Sequence, residues 1–288
     1  MDAPDPEVVA DAFDLLSDPI RVRILTTLWE EDRRGPTSYS DLQAGVGVRD
    51  SGRFNYHLSK LTDRYLRKTD DGYAMRPAGV HVVDLLASGV FGDVPERGPI
   101  DVETPCPRCD GGFELQYRDG ETVVQCPDCE LVACWLFFPP AGVRDRDDES
   151  LVWGAHVRSR GFNRMANAGL CPFCGREIER ELVHPDERRV DRMHVTKRCD
   201  GCEARLASSL GSYLFDHPGV VAFLWDHGAP LDDRPYWKFD FVRDPQVELL
   251  DDDPLRYRQR IEREGERLEV DVGPGAEVVA IRRVRDRD

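Results

Sequence analysis

The sequence predicts an α+β protein: short N-terminal helices closed by a β-hairpin, then β-rich modules pinned by cysteine pairs, then an antiparallel β-meander. Three observations predict it. Residues 106–202 carry four Cys-x-x-C pairs, Cys106/Cys109, Cys126/Cys129, Cys171/Cys174 and Cys199/Cys202, which use eight of the nine cysteines. Residues 5–88 show helical periodicity punctuated by Asp-Pro and Gly signals. From about residue 236, apolar and polar residues alternate between turn signals.

Asp5-Pro6 and Asp18-Pro19 each open a helix. An aspartate accepts from the orphan amides of a first turn, and proline at the first helical position sacrifices no hydrogen bond. Val8, Val9, Ala12, Phe13, Leu15 and Leu16 give the first helix its apolar side; Ile20, Ile24, Leu25 and Leu28 give the second its own. Ser40-Asp41-Leu42-Gln43 is a capping-box pattern for a short third helix ended by Gly45-Val46-Gly47. Asp50-Ser51 caps a fourth, predicted to run to about Tyr65, with Phe54, Leu58 and Leu61 inward. Leu66–Met75 around Asp70-Asp71-Gly72 reads as a hairpin, and Pro77 opens a fifth helix to about Ser88.

Residues 1–90 therefore form a first domain and 91–104, with Gly92, Pro95, Gly98 and Pro99, a linker. Residues 105–288 form the second. Each pair of Cys-x-x-C motifs encloses a candidate hairpin, with 16 residues between the inner cysteines of the first set and 24 in the second. Three of the four motifs have proline after the first cysteine. A tetrahedral zinc ion needs four thiolates delivered by two tight turns, and such closed sites are structural. The expectation is two zinc ribbons: Cys106, Cys109, Cys126 and Cys129, then Cys171, Cys174, Cys199 and Cys202.

After each set comes an apolar segment and a helix: Leu131–Phe138 as a buried strand with a helix around 150–168, then Leu206–Phe215 with a helix near 218–225. The repeated order makes 105–169 and 170–240 a candidate duplication. Segments 237–242, 256–263, 267–272 and 277–283 complete the meander.

The order helix, helix, short helix, turn, helix, hairpin, helix is that of a winged helix-turn-helix. Leu16-Ser17-Asp18-Pro19-Ile20-Arg21 with Ile24-Leu25, and His57-Leu58-Ser59-Lys60-Leu61 later, resemble the ArsR-type winged-helix transcription regulators over residues 5–90. The resemblance implies double-stranded DNA as partner and a homodimer built from the first and last helices of the module. Similar archaeal regulators pair this module with zinc-ribbon regions.

In such a module the fourth helix presents its outer face to base edges. That face holds Arg53, Asn55, Tyr56, His57, Lys60 and Arg64. Arg53 suits a guanine edge and Asn55 an adenine edge. Lys60, Arg64, Arg67 and Lys68 suit phosphates, as do the hydroxyls of Ser38 and Ser40. Metal-sensing positions are not carried over, because the third helix has no cysteine; His81 and Asp84 on the last helix are read as a solvated face.

The chain has a net charge of −16, with 35 aspartates, 20 glutamates, 35 arginines and only four lysines. This composition resembles that of proteins from halophiles; an ordinary acidic protein is the alternative. The acidity opposes nucleic-acid binding, but residues 49–76 hold seven basic and four acidic side chains. No run of apolar residues is long enough to cross a membrane, the N-terminus does not read as a signal peptide, and paired thiols suit a reducing cytoplasm.

No phosphate loop, nucleophile elbow or paired-carboxylate motif appears, so no enzyme is expected. Other readings of particular residues stay open: redox chemistry at Cys171-Pro172-Phe173-Cys174, metal or oxidant sensing by the ribbons, and a pocket for a small-molecule or protein effector lined by Trp135, Phe137, Phe138, Trp153, Phe223 and Trp225. The functional reading is a sequence-specific regulator. The alternative is a zinc-stabilised adaptor that contacts transcription machinery through protein surfaces.

Overall fold

The computed structural model describes residues 5–31, 35–185 and 194–285. The chain is α+β and divides into two compact units, residues 2–93 with 139–141, and residues 94–138 with 142–288.

In the N-terminal unit the order is α1 (Pro6–Asp14), α2 (Pro19–Glu31), α3 (Tyr39–Val46), α4 (Ser51–Leu61), β1 (Leu66–Thr69), β2 (Gly72–Met75) and α5 (Pro77–Ala87). The two Asp-Pro starts act as expected. Asp5 accepts from the Glu7 amide at 2.9 Å and Asp18 from the Ile20 amide at 2.7 Å. α2 is the centre: its Ile20, Ile24, Leu25 and Leu28 are buried against Leu42 and Val46 of α3, Phe54, Leu58 and Leu61 of α4, and Val83 of α5. α1 buries no residue; Tyr65 ties it down by donating to the Ala12 carbonyl at 2.6 Å.

Two boundaries differ from expectation. The cap of α3 is Ser38, whose Oγ accepts from the Asp41 amide, because the helix begins two residues earlier than the capping-box pattern suggests. α4 stops at Leu61 instead of running to Tyr65, since Thr62 is extended and Asp63 has φ of 77°. Gly47, at φ 73°, ends α3, and Gln43 Nε2 donates to the Val48 carbonyl at 2.9 Å, fixing the turn into α4. Gly72 is required at the hairpin: Thr37 and Tyr73 exchange two backbone hydrogen bonds of 2.9 Å, and a Cβ on Gly72 would lie 2.1 Å from the Thr37 oxygen.

Among the described residues the second unit holds three antiparallel sheets. The first runs in the order β3 (Arg97–Pro105), β4 (Gly112–Arg118), β5 (Glu121–Gln125), β6 (Val132–Phe137). β3 occupies much of the stretch expected as a linker. Its alternation buries Ile100, Val102 and Thr104, which proline and glycine at 98–99 disguised in sequence. β6 is an edge strand with one face exposed, so Trp135 and Phe137 lie outside the core while Cys134 and Leu136 are buried.

α6 (Ala141–Arg144) is a single turn, and α7 (Asp148–Asn167) follows. Asp147 caps α7, with Asp148 and Glu149 in its first turn and Arg164 in its last, the distribution that suits the helix dipole. β7 (Glu179–Leu182), β8 (Val195–Arg198) and β9 (Arg205–Ser208) form the second sheet. Residues 186–193, inside the second cysteine set, lie outside the described residues.

α8 (Leu210–Leu214) and α9 (Pro218–Asp226) come next. Residues 237–242, expected as a strand, instead form a 3-10 turn (Tyr236–Lys238) and α10 (Asp240–Arg243). Their dense aromatics pack as a knot: Tyr236, Trp237, Phe239 and Phe241 are buried around Phe215. The meander is β10 (Gln246–Asp252), β11 (Leu255–Arg263), β12 (Glu266–Val272) and β13 (Val278–Arg285), hydrogen-bonded in that order. Asp251 and Asp252 end β10.

α7 is the polar spine of this unit. Arg160 holds Asp216 at 2.7 Å and Asp232 at 2.6 Å, and Asn167 donates to the Tyr213 carbonyl. Ser159 meets the Tyr236 hydroxyl at 3.1 Å, beside buried Cys134. His156, 1% exposed, accepts from the Tyr236 amide through Nδ1 at 3.1 Å. Burial, with the Arg160 guanidinium nearby, pulls His156 down to about 4 from 6.5.

The folded state thus keeps His156 neutral while the unfolded chain binds a proton between those values, so stability rises with pH across that window. The contribution is complete above pH 6.5 and lost as pH falls toward 4, amounting to about 3 kcal/mol. Urea unfolding at pH 4.5 and 7.5 should therefore show a smaller pH dependence in His156→Gln, which keeps an acceptor for the Tyr236 amide, than in the parent. Identical pH dependences would remove this assignment.

Candidate metal centres and candidate nucleic-acid interface

Each cysteine set converges. In the first, Sγ of Cys106 lies 3.5 Å from that of Cys129, and Cys109 3.5 Å from Cys126. In the second, Cys171 and Cys202 are 3.6 Å apart and Cys174 and Cys199 3.5 Å. Within each set all four sulfurs lie within 4.8 Å of one another. None of the nine cysteines is in a disulfide. Four thiolates around one ion at about 2.3 Å would stand about 3.8 Å apart, close to what is seen.

The backbone builds these sites. Each Cys-x-x-C is a tight turn in which the first cysteine's amide donates back across the turn: Cys106 to Gly111, Cys126 to Leu131, Cys171 to Arg176 and Cys199 to Ala204, at 2.8–3.0 Å. The residue after the second cysteine is left-handed in three of the four, Glu130, Gly175 and Glu203, with φ of 60°, 73° and 59°.

The electrostatics call for a cation. Burial opposes the Cys106 thiolate, but amides of Arg108 and Cys109 and the neighbouring thiols outweigh it and bring it to about 7. Cys199, favoured by the Cys202 amide despite burial, also comes to about 7. In each set a neighbour pays the opposite way. The Gly111 amide favours the Cys109 thiolate, yet the sulfur of Cys126, burial and the other thiols push it to about 12; Cys202 reaches about 12 despite the Ala204 amide. Four thiols this close cannot all ionise unless a metal ion neutralises them.

The N-terminal candidate interface is built on α4. Phe54, His57, Leu58 and Leu61 face inward, and Arg53, Asn55, Tyr56 and Lys60 are exposed on the other side. The Lys60 ammonium sits 5.7 Å from the centre of the Tyr56 ring. Arg67 and Lys68 are both exposed on β1, and the hairpin tip is the acidic Asp70-Asp71.

Four expected contact residues are placed differently. His57 is 7% exposed and faces Asp18, 3.7 Å from its carboxylate, because helical spacing puts residue 57 beside Phe54 and Leu58. Arg64 lies beyond the end of α4 and reaches the Val8 carbonyl at 3.4 Å. Ser38 donates to the Asp41 carboxylate at 2.7 Å and meets Ser40 at 3.0 Å, so the Ser38 hydroxyl is engaged within the start of its own helix.

The aromatic set does not form one pocket: Phe138 and Phe223 are core, whereas Trp135 and Trp225 are among the most exposed apolar side chains. Two polar clusters carried no motif because their members come from distant segments. Buried Lys197 donates to Ser208 at 2.7 Å and Asn163 at 2.9 Å. His184 bridges Asp252 and the Tyr257 hydroxyl, both at 2.8 Å. No helix among the described residues is long and apolar enough to cross a membrane.

The site and fold define a two-unit α+β protein with two four-cysteine groups positioned to bind metal ions. Residues 103–278, more than half of the chain, match the family described as Domain of unknown function (DUF7351), and the chain belongs to that family. Residues 9–86 match a second model, Domain of unknown function (DUF7347). No curated protein and no solved structure matches the chain.

Elemental analysis of the purified protein checks the grouping of the thiols. The parent should carry two metal ions per chain, and Cys126→Ser and Cys199→Ser should each carry one while the other site stays loaded. A variant that retains both ions would show that the four sulfurs do not act as one site.

Proposed function

We propose that this protein is a sequence-specific DNA-binding transcription regulator. Its N-terminal unit acts as a winged helix-turn-helix, and its two metal centres hold structural zinc. The observation that carries the reading is the division of α4 into a buried face and an exposed one bearing Arg53, Asn55, Tyr56 and Lys60. α4 lies in the major groove, with Arg53 and Asn55 toward base edges. Lys60, Arg67 and Lys68 meet phosphates.

The regulator acts as a homodimer. Support comes from three apolar side chains, Val8 and Phe13 on α1 and Leu85 on α5, which are 46%, 63% and 43% exposed. Zinc is the metal that four thiolates in tetrahedral array favour, and a site closed by four protein ligands leaves no position for catalysis. Function is promoter occupancy with no bond chemistry. In the salt-rich cytoplasm that the composition suggests, counterion release adds little, so base contacts and dimer avidity carry more of the affinity.

A second reading, an adaptor of the transcription machinery, is favoured by exposed Trp135 and Phe137 side by side on the edge strand β6. Genomic footprinting of the tagged protein in its native salt decides between them. Discrete promoter peaks, lost in Arg53→Ala/Lys60→Ala, are expected. Binding to individual operators should then show Arg53→Ala costing about 1–3 kcal/mol at particular base pairs, while Lys60→Ala weakens all sequences alike. Absence of peaks with a folded, metal-loaded protein would favour the adaptor.

A further inference from the structure

The second unit contains a cleft of about 520 Å3 between β3, the first turns of α7 and residues 233–238. This lies within the usual range for small-molecule sites, about 300–1,000 Å3. Its walls include Val102, Val152 and Pro235 with the indole of Trp153. Trp153 is 38% exposed and is held by the imidazole of His156 at 4.8 Å between ring centres. The rim is acidic. Five carboxylates line the cleft against two cations.

The two cations are already engaged. Lys238 pairs with Glu103 at 3.7 Å, and Arg234 pairs with Asp233 at 3.3 Å and covers the Phe239 ring. Asp148 is taken by Arg97. Asp101 and Glu149 remain: Asp101 accepts only the Glu103 amide, and neither carboxylate has a cationic partner among the described residues.

We propose that this cleft binds a small alkylammonium cation. The charge excludes an anionic ligand. The carboxylates do not converge: among the described residues only the cysteine sets bring three or more ligand atoms within 4.8 Å. A bare metal ion therefore finds no cage here. A strongly hydrated inorganic cation gains nothing from apolar walls, whereas an ammonium clothed in methyl groups satisfies them, the Trp153 side chain and the distributed carboxylates together. The inference does not depend on DNA reading by the other unit.

The test is calorimetric titration of the full-length, metal-loaded protein in its folding salt. The probes are choline and its uncharged carbon isostere, 3,3-dimethylbutan-1-ol, which differ in charge and hardly in shape. Choline should bind at least tenfold more tightly. Asp101→Asn/Glu149→Gln, which removes two exposed charges without touching the core, should lower choline affinity at least fivefold and leave the isostere unchanged; Trp153→Leu should weaken both. Equal affinity for the two probes, no binding of choline, or a choline affinity unmoved by the carboxylate pair would overturn the proposal.

Discussion

The constraint on which the second unit depends is the charge balance of its thiol clusters. Four sulfurs within 4.8 Å of one another are stable together as thiolates only around a metal ion. The second cluster makes the point most clearly. The apolar cluster beside it is small, Ala166, Ile178 and two of the cysteines themselves, while Leu182 and Val195 of the same sheet join the main core. A metal ion held by these turns would tie that small cluster together, and its binding would then be part of the folding free energy.

Beyond the clusters, α7 organises the unit by placing polar groups where each has a partner. Arg160, Ser159, His156, Asn163 and Asn167, all on this helix, reach three segments of the chain, at Lys197, at residues 213–216 and at Tyr236. Buried Lys197 is tolerated because Asn163 and Ser208 accept its hydrogen bonds, although burial and the Arg180 charge lower it to about 7. On the meander, Asp271 is held low first by hydrogen bonding from Arg258, and Arg282 adds to it. Such networks fix register as much as they add stability, since an unpaired member would be costly.

In the N-terminal unit the economy is different. One apolar helix, α2, supplies the surface on which α3, α4 and α5 pack, so α4 has one face committed and one free. The proposed reading of DNA rests on that free face. The chain as a whole is strongly acidic, so any such role depends on local placement of arginine and lysine, not on net charge.

The sequence by itself determined the helix starts at the Asp-Pro pairs, the hairpin at Asp70-Asp71-Gly72, the inward stripe of α4 and the grouping of the eight cysteines. These are encoded within a few residues, through capping, turn preference, helical period and short ligand spacing. Tertiary structure alone decided that residues 97–105 join a sheet, because a strand's partner is chosen by distant residues. The same holds for Trp237–Val242, whose alternation imitates a strand but whose aromatics are drawn into a knot around Phe215. It also turned His57 inward toward Asp18 and assembled the cleft around Trp153 from three separate segments. Local chemistry is written along the chain; which surfaces meet depends on packing between residues far apart in it.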